Sequence, residues 1–522
     1  MKKHAYRLLS LLLLVSSITL SSCSGDKNNN KQNGETPSSD NMSQEPTYGG
    51  DVVVGIQQDL DSLDPHKAVA AGTSEVLFNI FEGLVKPNEN GDLVPTVASD
   101  YTISDDGTVY TFVLRDGIKF HSGNLVTVED IVYSVKRSAG LLKDKDASIN
   151  VKSALSNIKD VTATDNKTVK ITLKTPDTEL LAYLTTAIIP ANYDGQETKP
   201  IGTGPFKFVS FSHQQSLVME KNPDYWGEKP YLDKVTFKIV EKADIAMMEL
   251  QGGTIDIFPY LTNDQANQIK DKFNVKVGNM NMVQGLFLNN AKAPFNNPKV
   301  REALNYAVNR QEILDFVAGG NGTVIQSAVF PGFTKFYNKS LSTYYSQDVE
   351  KAKALLTEAG YANGLSFTIK VPSGYQYHID TAQVIVDQLA KIGVTAKIQT
   401  VEWNSWLSDV YNNRNYEATV IGLVAPLAAR ELLGRYDSKA TNNFVNYTNS
   451  EYDKILKEAL VTTDDTTKVE NYKELQRILT EDSVSVYLAD PSLMVGINKK
   501  LSGYTFYPVY VQDMSKVYYV KE

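Results

Sequence analysis

The chain has 522 residues, 42% hydrophobic and 22% charged, which allows two to four domains or one large two-lobed body. A formal net charge of −9 argues against a nucleic-acid partner, which would want a basic face. A single cysteine excludes an internal disulfide, so stability does not rest on cross-links even in an oxidising compartment.

In chain order, Lys2, Lys3 and Arg7 come first, then an apolar run over residues 8–20. That run is shorter than the roughly 20 residues a spanning helix needs. A basic start, a short apolar core and small residues predict a secretory signal peptide over residues 1–22. The sequence Leu20-Ser21-Ser22-Cys23 resembles the lipobox of bacterial lipoproteins. That resemblance implies that the Cys23 thiol receives a diacylglyceryl group and becomes the mature N-terminus. Two acyl chains are the number generally needed for stable anchoring. Residues 24–47 are rich in Asn, Ser, Gln, Gly and Pro, with Met42 as the one large apolar side chain. Such a stretch cannot bury enough surface to order itself. Residues 23–47 therefore read as a lipidated cysteine and a tether of roughly 25–30 Å.

From Tyr48 onward, short β-like runs alternate with amphipathic helical ones. Strands are predicted over 51–56 (DVVVGI), 110–114 (YTFVL), 235–240 (VTFKIV), 367–371 (FTIKV) and 395–401 (TAKIQTV). Thr127 with Asp130 resembles a capping box opening a helix. Asn297-Pro298 supplies an N-cap and a proline at the first helical position. Val300, Ala303, Leu304, Ala307 and Val308 then form one apolar stripe. Helices over 348–359 and 379–392 close at Gly360 and Gly393. Without a regular βαβ beat, this mixture indicates α/β lobes with mixed sheets.

No catalytic signature accompanies these elements. The chain has no G-x-x-x-x-G-K-[ST], no H-E-x-x-H and no G-x-S-x-G. Beyond the signal peptide the histidines are His66, His121, His213 and His378, and no two have metal-ligand spacing. No cofactor is predicted. An exported, tethered, two-lobe-sized body of this kind suits a receptor better than an enzyme. An exported enzyme or adhesin on a similar frame is the alternative of another class, and turnover of a peptide library would favour it.

Several blocks carry a more specific resemblance. Residues 94–137 (VPTVASDYTISDDGTVYTFVLRDGIKFHSGNLVTVEDIVYSVKR) come first, followed by GTGPFKF (202–208) and NPDYWGEKPYLDKVTFKIV (222–240). LNNAKAPFNNPKVREALNYAVNR (288–310), AKALLTEAGY (352–361) and QLAKIGV (388–394) complete the order. Together they resemble the family 5 extracellular solute-binding proteins, the substrate-binding lipoproteins of oligopeptide, dipeptide and nickel ABC importers. The likeness runs from about residue 49 to the C-terminus. It implies a two-lobed periplasmic-binding-protein-like fold (type II, cluster C), with a hinge of two chain crossings near 285 and 485 and an inserted extra subdomain. The implied partition is 48–78, 201–285 and 486–522 for lobe I, 79–200 for its insert, and 286–485 for lobe II. The implied function is capture of a peptide or peptide-like solute between closing lobes. Delivery is then to a membrane permease with separate ATPase subunits. A nickel-chelate or metallophore receptor is the alternative within the family. The protein is expected to be a monomer outside the cytoplasmic membrane. Its lysine- and asparagine-rich tether points to a Gram-positive outer face, with the periplasm as the two-membrane alternative.

The same resemblance supplies candidate ligand-binding residues. The chain after SLDPHKA lines the family's cleft, here Val69, Ala70 and Ala71. Trp403 matches a cleft tryptophan whose broad face suits varied ligand side chains, whereas Trp406 reads as core. Peptide binders place an aspartate in the segment matching 422–432 to meet the ligand's α-ammonium. Here Pro426 stands near that position and the first acid is Glu431, so the acidic anchor is missing. Gly422, Leu423 and Val424 offer backbone hydrogen bonds. Arg430 and Arg435 are candidate carboxylate clamps. Where dipeptide binders place an arginine, this chain has Tyr375, Tyr377 and His378, the last able to meet a metal held in a chelate.

Overall fold

The structure is a computed structural model that describes residues 45–142, 146–151, 154–425 and 427–521. The readings for residues 1–44, Cys23 among them, and for Pro426 lie outside the described residues.

One mixed sheet runs through the body. Its order is Val394–Val401, Leu365–Pro372, Ala418–Leu423, Val283–Leu288, Ser485–Asn498, Ile257–Phe258, Asp51–Ile56, Lys234–Ile239, Ser216–Lys221 and Phe206–Ser212. Asp51–Ile56 pairs in parallel with Lys234–Ile239, and Leu365–Pro372 in parallel with Val394–Val401, while the pairs through Ser485–Asn498 are antiparallel. The 14-residue strand Ser485–Asn498 joins the two halves. Its first part pairs with Val283–Leu288 and its last part with Phe273–Asn279. The chain thus crosses twice, at 280–282 and around Asp490-Pro491. Asn281 bends the first crossing in the left-handed region at φ 54°, a conformation that asparagine tolerates better than most residues.

Two arginines tie the flanking helices to the crossing strand and to the turn that leads into it. Arg301, on Pro298–Ala307, donates to the carbonyls of Phe295, Asp482 and Ser483. Arg310, on Arg310–Ala318, donates to Tyr487 O at 2.7 Å and to Asn305 Oδ1 at 2.7 Å. The helical stripe from Val300 to Val308 is buried, as its spacing requires.

A second, four-stranded sheet, in the order Ala98–Ile103, Val109–Leu114, Thr168–Leu173, Ile158–Ala163, packs under Val128–Ser138 around a core of its own. Thr127 and Asp130 form the capping box there. The GTGPF stretch is a close backbone crossing. A Cβ at Gly202 would lie 2.1 Å from Ile80 O, and one at Gly204 would lie 2.6 Å from Asn79 O. Glu82 gathers this corner by accepting from Thr203, Tyr225, Trp226 and Lys86.

Candidate functional site

The site begins with the loop after Asp51–Ile56. Asp64 accepts two bonds from the Arg137 guanidinium, at 2.9 and 2.6 Å, which ties the loop to the helix beneath it. Asp61 Oδ2 takes the amides of Val69 (2.8 Å) and Ala70 (3.1 Å). Helix Ala71–Leu77 starts there, with Ala70 as its extended N-cap. Gly72 lets Gln58 lie across the first turn, because a Cβ at Gly72 would sit 2.8 Å from Gln58 Oε1.

Across from this loop, the PSGYQYHID stretch forms the start of helix Gln376–Ala390. The sequence predicted that helix from residue 379. The earlier start places Tyr375 at the N-cap, with Gln376, Tyr377 and His378 in the first turn. Tyr375 Oη donates to Gln58 Oε1 at 3.3 Å, and Gln57 Nε2 donates to Gly374 O at 3.4 Å. These two bonds join the chain around residue 57 to the chain around residue 375.

Between them lies a chamber of about 130 Å³ lined by Tyr260, Met280, Met282, Tyr375, Tyr377, His378, Trp403, Gly422, Val424, Met494, Tyr510 and their neighbours. Trp403 stacks on Trp406 at 5.3 Å and meets Tyr375 at 5.5 Å, while Tyr260 stacks on Tyr510 at 5.5 Å. Trp403 Nε1 has no hydrogen-bond partner among the described residues, whereas Trp406 Nε1 donates to Thr419 inside the core. His378 is buried on the chamber wall, and desolvation pulls its imidazole down to about 3, so it is neutral at physiological pH. A neighbouring cavity of about 360 Å³ is lined by Val69, Ala71, Lys86, Thr186, Val424 and Tyr510, among others. Ala71, Val424 and Tyr510 border both spaces.

The structure separates the sequence candidates. Val69 and Ala71 border the larger cavity, and Ala71 also borders the chamber. Tyr375, His378, Trp403, Gly422 and Val424 converge on the chamber. Leu423 does not line it, its side chain being buried in the core cluster that also holds Phe444 and Tyr487. Gly422 is where Met282 presses in, since a Cβ there would lie 1.8 Å from the Met282 sulfur.

The two arginines are engaged elsewhere. Arg430 Nη1 pairs with Asp177 at 2.5 Å, its Nε donates to Tyr183 Oη at 3.1 Å, and its guanidinium lies 4.4 Å from the Tyr183 ring centroid. Arg435 Nε caps Glu431 O at 3.0 Å. Glu431 itself accepts from Tyr183 at 2.6 Å. The segment after Pro426 therefore docks on the four-stranded sheet's core, where Ala428 is fully buried. Arg430 and Arg435 belong to that clasp, Arg430 through its pair with Asp177 and Arg435 through the Glu431 carbonyl. Sequence reading missed Tyr260, Tyr510, Met280, Met282 and the Gln57-Gln58 pair. A glutamine pair straight after a buried strand was the one local signal of a polar wall.

Comparison with known proteins agrees with this geometry. The family model described as bacterial extracellular solute-binding proteins, family 5 Middle, matches residues 92–444. The oligopeptide-binding protein AppA of Bacillus subtilis is 29% identical over 97% of this chain and 97% of its own length. The glutathione-binding protein GsiB of Salmonella typhimurium is 30% identical over 88% and 92%. The solved structure of the periplasmic binding protein DppA of Helicobacter pylori, in complex with peptide STSA, superposes with a TM-score of 0.83 at 29% identity, covering 91% of this chain and 99% of that one. The fold is the two-lobed type II periplasmic-binding-protein architecture, with TM-scores from 0.72 to 0.83 among such neighbours. With the match spanning more than half of its length, the chain belongs to the bacterial extracellular solute-binding proteins of family 5.

Proposed function

We propose that this protein is the substrate-binding lipoprotein of an ABC importer, capturing a peptide or peptide-like solute in the cleft and passing it to a membrane permease served by separate ATPase subunits. The observation that carries this reading is the aromatic chamber, closed by the Tyr375–Gln58 and Gln57–Gly374 bonds. Aromatic walls with few fixed polar groups suit varied ligand side chains. The peptide-bound relatives lend the ligand class. Tyr375, His378, Trp403, Gly422 and Val424 contact the solute, with Val69 and Ala71 at the cleft's wider end. Lobe I comprises 48–78, 201–285 and 486–522, its insert 79–200, and lobe II 286–485. Ligand bridging the lobes drives closure about the two crossings. The protein acts as a monomer outside the cytoplasmic membrane, without turnover of its ligand. Diacylated Cys23 anchors it, so Cys23→Ser releases it into the medium and removes fatty-acid labelling.

A metal chelate is the second reading, favoured by the neutral imidazole of His378 on the chamber wall. Gentle purification, denaturation and mass spectrometry of the released small molecule, with elemental analysis of the same sample, tests both. A peptide without metal supports the first reading and a stoichiometric metal the second. A protein that releases nothing, and takes up no peptide from a mixed pool, defeats the proposal.

A further inference from the structure

The carboxylates around the cleft are unevenly balanced. Glu82 pairs with Lys86 at 3.2 Å, Asp64 with Arg137 at 2.6 Å and Asp177 with Arg430 at 2.5 Å. Two others, Glu75 and Asp490, are 3% and 5% exposed and have no ion-pair partner among the described residues. Both stand directly behind the aromatic chamber. Glu75 Oε1 accepts from Tyr260 Oη at 2.5 Å and from Gln512 Nε2 at 2.8 Å, and Tyr260 is a chamber wall. Asp490 Oδ1 accepts the amide of Met282 at 3.0 Å, and Met282 also lines the chamber. No lysine or arginine lines the chamber among the described residues, and its one histidine is held neutral. The chamber is therefore a pocket of aromatic faces and neutral amides, backed by two buried acids that lack a cation.

We propose that the chamber is a cation site: it takes an organic ammonium group of the ligand against Trp403, Tyr375 and the Tyr260–Tyr510 stack, with Glu75 and Asp490 supplying the balancing charge from behind the walls. This rests on the cleft being the solute site. It places the positive end of the ligand at the joint between the halves rather than in the 422–432 segment, which lacks an acid. Aromatic faces attract cations through their ring quadrupoles, most strongly when water is excluded. Nearby carboxylates complete the balance that a desolvated ammonium requires.

The arrangement is linked to pH. Burial holds both carboxyls up to about 7. The titratable groups facing Glu75 are Tyr260, Tyr375, Tyr504 and Tyr510, and those facing Asp490 are Tyr337 and Tyr377. All are phenols raised further above neutrality, so they stay uncharged. An arriving cation favours the ionised carboxylates, and binding releases protons. Affinity then rises with pH through the neutral range.

The test uses the full chain with two tetrapeptide pools, one with free amines and one with its amines acetylated, plus choline and putrescine as single probes. Retention of the free-amine pool at least about tenfold above the acetylated pool is expected, as is binding about tenfold tighter at about pH 8 than at about pH 6. Glu75→Gln and Asp490→Asn should each flatten that pH dependence and weaken binding. Equal or better retention of the acetylated pool overturns the proposal. If neither pool is held, the peptide reading fails, and the single probes decide the chamber. A rise in melting temperature with choline or putrescine that Glu75→Gln abolishes sustains it, and no rise overturns it. Should the variants fail to fold, wild-type affinity that is flat between those two pH values overturns it.

Discussion

Arg430 and Asp177 form an ion pair with side chains only 10% and 3% exposed. Removing one partner strands a desolvated charge, which costs about 3–5 kcal/mol for buried pairs. Arg430→Ala and Asp177→Ala should therefore each lower the urea midpoint strongly, and the double variant should lose much less than the sum. Arg430→Ala within about 0.5 kcal/mol of wild type would remove the clasp from the account. Gly422 makes a different prediction. A methyl group there would occupy the place of the Met282 sulfur, so that flexible side chain must swing into the chamber. Gly422→Ala should cost no more than about 1–3 kcal/mol in stability, the usual range for overpacking. It should weaken the tightest-binding peptide of a mixed pool by more than tenfold, roughly, in a calorimetric titration. Unchanged affinity would mean that Met282 finds room elsewhere.

At the scale of elements, local chemistry carried most of the information. The Thr127–Asp130 capping box is present with both reciprocal bonds, and Thr127→Ala should cost about 1 kcal/mol by thermal denaturation. The strands at 51–56, 235–240 and 395–401 lie within a residue of Asp51–Ile56, Lys234–Ile239 and Val394–Val401. Strong β-branched runs between turn residues leave little freedom there. Asn297 and Pro298 open their helix as the cap rules require. The helix at Gln376 was harder to read, because Tyr375 caps it with no side-chain hydrogen bond to announce the start. The chamber was legible only in part. Trp403, Tyr375 and Gly422 came from matching segments, but Tyr260 and Tyr510 lie in unremarkable stretches, brought to one place by long-range contacts such as Tyr260 and Gln512 both donating to Glu75. Arg430 was misleading for a related reason, since its partner lies 253 positions away. Periodicity along one segment carries no signal for such pairings.

For the whole molecule, the buried titratable groups set opposing trends with pH. Glu75 and Asp490 rise from 4.5 and 3.8 to about 7 on folding. The folded protein then binds more protons than the unfolded chain between about pH 4 and pH 7, so this contribution is fully present at low pH and is lost as pH rises through about 7. His378 and His121 fall from 6.5 to about 3 and about 4, because burial disfavours their charged forms. Their contribution has the opposite sign: present above about 6.5 and lost as pH falls through those low values. Between about pH 4.5 and 6.5 the two acids and the two histidines offset one another, which predicts a stability plateau for the empty protein. Above about 6.5 only the carboxyls still titrate, and stability declines toward about pH 8. Glu75→Gln removes one of the two declining terms. The ligand-free variant should equal wild type near about pH 4 and exceed it near about pH 8, by an amount on the order of 2–3 kcal/mol. Urea titrations across that range check it, and a variant whose advantage does not grow with pH would show that Glu75 ionises without cost in the folded protein. The same carboxyl thus ties two measurements together. A group that destabilises the empty protein above neutrality is one whose charge a bound cation would relieve, so the pH at which the empty form weakens is the pH at which ligand should stabilise it most.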